Sequence, residues 1–163
     1  MTRKNIMSVG IVIISVLIII GILLLLWVHF TDSDRNVIRV GLDMDESVPV
    51  DFEKLKLVPG ESCEYTLSFS GKDSKRYDLA LNFNETEKGS LRNYAKVKLV
   101  SGDEIIYDEY LKDAFDGDPV ALHVDFSKKL NTKLLVIFYM PIEIGNEAMG
   151  AEVYFNLLVS ATK

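Results

Sequence analysis

The chain has 163 residues, 18 of them basic and 24 acidic, a formal charge of −6 and a single cysteine. That balance makes nucleic acid and anionic lipid poor partners, and a lone Cys63 excludes a disulfide within the chain. Once the N-terminal segment is set aside, the length suits one folded domain with one two-layer core.

Residues 1–5 hold Arg3 and Lys4. From Ile6 to Val28, 23 residues follow with no charge and no proline, and only Ser8, Gly10, Ser15 and Gly21 interrupt the apolar positions. As a helix this run spans about 34 Å, enough for the roughly 30 Å hydrocarbon core of a bilayer. It is apolar all round, unlike an amphipathic helix on a soluble core. Residues 6–28 are therefore predicted to be a transmembrane signal anchor. Arg3, Lys4 and the amino terminus precede it, while Asp32 and Asp34 follow with only Arg35 opposed, so residues 1–5 stay cytoplasmic and the rest is exported. This predicts a single-pass plasma-membrane protein. A cleaved signal peptide is the rival reading, but its apolar region is about 7–15 residues and ends at a small-residue site. No A-x-A pattern occurs between Ile22 and Asn36.

Residues 29–36 form a short linker. At about 3.3 Å per residue, Asp32 to Val37 reaches roughly 20 Å, which keeps the following domain near the membrane. Beyond residue 31, 16 basic residues face 24 acidic ones, a balance of −8.

From residue 37 onward the apolar period becomes two, the mark of half-buried strands. Ile38, Val40, Leu42 and Met44 alternate with Val37, Arg39, Gly41 and Asp43. The pattern recurs at Tyr65, Leu67 and Phe69; at Tyr77, Leu79, Leu81 and Phe83; at Ala95, Val97 and Leu99; and at Val120, Leu122, Val124 and Phe126. Ile105–Tyr110 is a further candidate. Leu134–Met140 and parts of Val153–Val159 are apolar on both faces, which predicts central strands covered on each side. Turn signals separate these runs, among them Pro59-Gly60, Ser101-Gly102-Asp103, Asp116-Gly117-Asp118-Pro119 and Gly145-Asn146. Outside the membrane only Leu91–Ala95 and Leu111–Phe115 read as helix, about one turn each. The expected fold is all-β, a single jelly-roll-like antiparallel sandwich of about eight strands over residues 37–163, preceded by one N-terminal transmembrane helix.

Chemistry-bearing residues are sparse. His29 lies at the membrane boundary and His123 on an exposed strand face, so no His-x-x-x-His or His/Cys metal set can be assembled. Asp113, Asp116 and Asp118, and separately Asp43, Asp45 and Glu46, are the densest oxygen ligands. Neither group follows the order of a calcium loop, and aspartate also caps turns. Lys96 and Lys98 share one strand face, as a solvated face would; Lys128 and Lys129 add a second pair. Cys63 reads as a small strand residue. Asn84-Glu85-Thr86 matches a glycosylation triplet of a kind that arises often by chance. No catalytic residue, metal site or cofactor is expected.

The order Trp27-Val28-His29-Phe30-Thr31-Asp32-Ser33-Asp34 followed by Val40-Gly41-Leu42-Asp43-Met44-Asp45, with Val58-Pro59-Gly60-Glu61 before the strand from Tyr65, resembles the camelysin and TasA-type proteins of Gram-positive bacteria. The likeness continues through Leu91-Arg92-Asn93-Tyr94 with the hairpin at Gly102 and Ile106-Tyr107-Asp108, and through Met140-Pro141, Gly145-Asn146-Glu147 and Gly150-Ala151. The resemblance implies an exported jelly roll whose relatives are processed by a dedicated signal peptidase and assemble into matrix fibres. By position it places a processing boundary at Leu26, Val28 and Phe30, and a donor strand at Ile38, Val40, Leu42 and Met44. In such assembly the first strand of one subunit completes the sheet of the next. Leu26 and Val28 depart from the small residues usual at that boundary, so uncut anchoring is expected. Relatives classed as metallopeptidases lend no activity here, because no H-E-x-x-H occurs.

These readings converge on a non-enzymatic, membrane-tethered cell-surface protein with a structural role in extracellular matrix, adhesion or fibre anchoring. Its expected partners are the membrane through residues 6–28, copies of itself or related matrix subunits, and no nucleic acid. The first alternative is a cleaved, secreted fibre subunit that donates residues 38–44. The second is a camelysin-like surface metallopeptidase.

Overall fold

Alternating side chains build two face-to-face sheets. The computed structural model describes residues 18–21, 36–42, 47–52, 54–71, 76–127 and 131–162. The chain divides into residues 1–36 and Val37–Lys163. In the first unit residues 18–21 are helical. The rest of the predicted anchor, and the boundary positions Leu26, Val28 and Phe30, lie outside the described residues, among which no helix is long and apolar enough to cross a membrane.

The second unit contains β1 (Val37–Leu42), β2 (Ser47–Asp51), β3 (Leu55–Lys56), β4 (Ser62–Gly71), β5 (Arg76–Glu87) and β6 (Lys96–Ser101). It continues with β7 (Glu104–Tyr110), the helix α1 (Leu111–Asp116), β8 (Val120–Asp125), β9 (Asn131–Tyr139) and β10 (Glu152–Thr162). Short 3-10 turns occupy Ser90–Asn93 and Asn146–Ala148. One sheet runs β1-β4-β9-β6-β7; the other runs β2-β10-β5-β8, with β3 also on β10. Among the described strands only the β1–β4 pairing is parallel. From β3 onward every connection passes from one sheet to the other except the β6–β7 hairpin.

Ten strands are thus described where about eight are expected. The two additions share one edge of β10, β2 against Asn156–Ser160 and β3 against Glu152–Val153. Pro49 lies inside β2, and a proline is tolerated there because an edge strand leaves one row of N–H groups unused. The both-face apolar runs do form the central strands β9 and β10. Their second faces are not covered, however: Leu135, Ile137 and Tyr139 on β9, and Tyr154 and Leu158 on β10, point outward and stay half-exposed.

The core lies between the sheets. Val40, Leu67, Phe69, Leu81, Val97, Leu99, Val136, Phe138, Leu157 and Val159 are all buried, each worth about 1.5–3 kcal/mol of apolar transfer at its full side-chain size. An aromatic group joins the sheets, with Phe138 5.2 Å from Phe155 and 5.3 Å from Phe52, both edge-on or steeply tilted, and Phe115 of α1 5.6 Å from Phe155.

Gly89 marks the tightest approach of two chain segments. A Cβ there would stand 1.9 Å from the backbone oxygen of Glu152, a distance that no side-chain rotation relieves. Gly89→Ala is expected to cost about 1–3 kcal/mol by displacing the start of β10. Urea unfolding measures it; a midpoint equal to that of the parent would show that the two segments have room to part.

Candidate functional site

Among the described residues few titratable groups gather, and the sheet edges are the features with open binding capacity. A strand edge offers unpaired N–H and C=O groups to another chain, and proteins blunt such edges with charge, proline or bulges. The edge strand β7 carries Glu104, Asp108 and Glu109. On the edge strand β8, Asp125 accepts from Arg76 at 3.2 Å and His123 Nδ1 lies 2.6 Å from Asp78 Oδ1, so an ion pair and a second polar pair, both cross-strand, line its outer face. The edge strand β2 carries Pro49.

The fourth edge is β1, Val-Ile-Arg-Val-Gly-Leu, with Arg39 as its one charge. Its register with β4 sets Ile38 beside Leu67, Val40 beside Phe69 and Leu42 beside Gly71. Val40 and Leu42 are buried and Ile38 packs against the core, so the three described residues of the predicted donor strand all face inward. Met44 lies outside the described residues, as do Asp43, Asp45 and Glu46. Among the described residues β1 pairs with β4 alone, in the parallel arrangement that is slightly weaker per residue than antiparallel pairing.

The other singled-out residues do not converge. His123 is 82% exposed, and among the described residues it pairs across to Asp78. Asp116 accepts from Arg92 Nη2 at 2.7 Å, while Asp113 and Asp118 stand in solvent. Among the described residues no three His, Cys, Asp or Glu side chains are grouped to hold a metal ion. Cys63 is a free thiol on β4, partly buried against the core. Lys96 and Lys98 share the outer face of β6, yet neither is simply solvated: Asp108 lies 3.6 Å from Lys96 and 3.4 Å from Lys98, and both ammonium groups sit over the Tyr139 ring. Partial burial pushes the Asp108 carboxyl up, but the Tyr139 hydroxyl, donating at 2.6 Å, and the two lysines outweigh it and hold the carboxyl below its ordinary value.

A second polar group has no local sequence signal. Arg92, in the 3-10 turn Ser90–Asn93, donates to Glu85 at the end of β5 and to Asp116 of α1, with Phe115 under its guanidinium at 5.5 Å. Glu85 also accepts from the Gly89 N–H at 3.2 Å. Arginine suits the position because its planar fork serves two carboxylates at once. The arrangement clips three connections together and leaves no open coordination or nucleophile.

No family model and no curated protein matches the chain. Among solved structures it is similar to the CUB1-EGF-CUB2 domains of rat MASP-1, at 14% identity and TM-score 0.41, over 78% of this chain and 43% of that one. It is also similar to Aeromonas hydrophila PliG, a periplasmic lysozyme inhibitor of g-type lysozyme, at 14% identity and TM-score 0.34, over 78% of this chain and 98% of that one.

Proposed function

We propose that this chain is a non-enzymatic β-sandwich of the camelysin and TasA type, tethered to the outer face of a plasma membrane by residues 6–28 and serving a structural role in matrix, adhesion or fibre anchoring. The observation that carries the reading is the identity of the least guarded edge. The strand that follows the apolar run is β1, and of the four edges it alone lacks both clustered charge and proline. A tethered domain that joins an assembly by strand addition needs such an edge. The proposed jelly roll is supported by the strand order: without β1, the orders β2-β10-β5-β8 and β4-β9-β6-β7 are those of eight strands wound as two Greek keys, with β2 and β3 counted as one interrupted strand. β1 is then an addition to a complete fold.

The same observation favours the second reading, a cleaved subunit that donates residues 38–44. A strand held by one neighbour, outside an already closed pattern, can leave without dismantling the rest. Two measurements on the full-length chain separate the readings. Alkaline carbonate washing followed by mass determination is expected to leave an uncut product in the membrane, with Met1–Val28 retained; a shortened soluble product overturns the tether. Deleting residues 32–44 is expected to leave a folded, monomeric sandwich that takes up a peptide spanning residues 37–44. Unfolding of that deletion would make β1 an obligatory part of the domain and rule out exchange.

A further inference from the structure

Among the described residues of the sandwich, five large apolar side chains stand exposed, and four of them gather at one end. Val58 and Ile142 belong to adjoining turns, held by the Gly60 N–H donating to the Met140 oxygen at 2.9 Å and the Met140 N–H donating to the Glu61 oxygen at 3.0 Å. They are 56% and 76% exposed, and Met149, just before β10, is 69% exposed. The fourth, Tyr110, closes β7. Its register places Tyr110, Lys96, Tyr139 and Ser62 in one row across the sheet, immediately behind the turns.

That row has its own chemistry. Lys96 Nζ lies 5.3 Å from the Tyr110 ring centre and 5.9 Å from that of Tyr139, and on the other sheet Lys54 Nζ lies 5.2 Å from the Tyr154 ring. Both sheets therefore carry tyrosine and lysine together behind an apolar tip. Amphipathic rings and long ammonium side chains of this kind settle at the headgroup level of a bilayer, with apolar groups beyond them in the acyl boundary.

We propose that this end of the sandwich docks into the outer surface of a zwitterionic lipid bilayer, with Val58, Ile142 and Met149 inserted and the Tyr–Lys pairs at headgroup level. The occupant follows from the direction of the chain. β4 starts at this end and β1 runs parallel to it, so the polypeptide enters the sandwich at Val37 heading away from the tip. From the level of Val37, paired with Thr66, back to Gly60 is about 20 Å of strand. The eight residues between Val28 and Val37, nine Cα steps, reach about 30 Å, enough for the tip to meet the surface that the apolar run enters. The lipid class follows from charge: the two turns that carry Val58, Ile142 and Met149, residues 57–61 and 141–151, contain Glu61, Glu143 and Glu147 and no basic residue, and Lys54 and Lys96 behind them are already paired with Glu152 and Asp108, so an anionic surface would repel the inserted turns.

This inference rests on the membrane-anchor reading, and the test keeps the two apart. Full-length protein in a Cys63→Ser background carries an environment-sensitive label on Ile142→Cys, Met149→Cys or, at the opposite end in the β6–β7 turn, Asp103→Cys. In phosphatidylcholine vesicles, brominated lipid is expected to remove most of the emission at 142 and 149 and none at 103. Ile142→Asp is expected to abolish the quenching at 149 while the protein stays resistant to carbonate. Equal quenching at 142 and 103 overturns docking. Protection at 142 that grows with protein concentration, without quenching by lipid, means that a second copy covers the tip and also overturns it. Carbonate extraction of the protein would defeat the anchor reading alone, because the labels at 142 and 149 still report on docking to the vesicles present.

Discussion

Truncation of Phe138 to alanine is expected to lower the stability of the sandwich by about 3–5 kcal/mol. Phe138 is fully buried near the end of β9, the central strand of its sheet, and meets Phe52, Tyr65 and Phe155 with ring centres 5.3, 5.9 and 5.2 Å away. Those neighbours belong to both sheets, so none can move into the void without pulling a strand with it. The removed ring forfeits its transfer energy and its edge-to-face contacts together. Urea unfolding measures the effect as a lower midpoint at unchanged slope. Ile137→Ala, one residue away on the outer face, is the control and is expected to cost far less. Equal losses at 137 and 138 would place the core elsewhere.

Removal of Arg92 comes next, at about 2–4 kcal/mol, toward the lower part of what a broken buried ion pair costs because the Asp116 side is open to water. The Glu85 side chain is 9% exposed and that of Asp116 60%. Arg92→Ala leaves the Glu85 carboxylate, among the described residues, with the Gly89 N–H as its remaining hydrogen-bond donor. A neutral side chain needs less compensation, so adding Glu85→Gln to Arg92→Ala is expected to recover a large part of the loss, a coupling visible in a double-mutant cycle. Arg76→Ala serves as comparison, since Arg76 is 83% exposed in its pair with Asp125. If Arg92→Ala costs no more than Arg76→Ala, the clip is ornamental.

Both residues show where sequence reading reaches its limit. Phe138 lies in a run apolar on both faces, and that run does name a central strand, because a period-two pattern records which faces touch protein. It overstates burial: Leu135, Ile137 and Tyr139 are half-exposed, since apolar character permits burial without compelling it. The one-turn helices at Leu91 and Leu111 are legible too, appearing as Ser90–Asn93 and Leu111–Asp116. β2 is hidden by Pro49, and β3 is two residues long, too short for any period to show. Arg92, Glu85 and Asp116 come together through crossings between sheets, which no local pattern encodes. The same holds for the Tyr110–Lys96–Tyr139 row and for the parallel register of β1, because spacing along one strand says nothing about which distant strand lies beside it.

The position of the last two strands constrains how the protein is made. β9 lies between β4 and β6, and β10 between β5 and the β2–β3 edge. Neither sheet has its middle until residues 131–162 have been synthesised. Neither sheet can be completed before β9 is made, and the long loops these pairings close make the domain a slow folder. Before residue 131 only the β1–β4, β5–β8 and β6–β7 pairs can form, so the earlier strands wait as separate pairs with open edges and exposed apolar faces. A chain cut short before β10 would leave β2 and β3 with no strand to pair with and the β5–β8 pair with one edge open, so the second sheet exists only in complete copies.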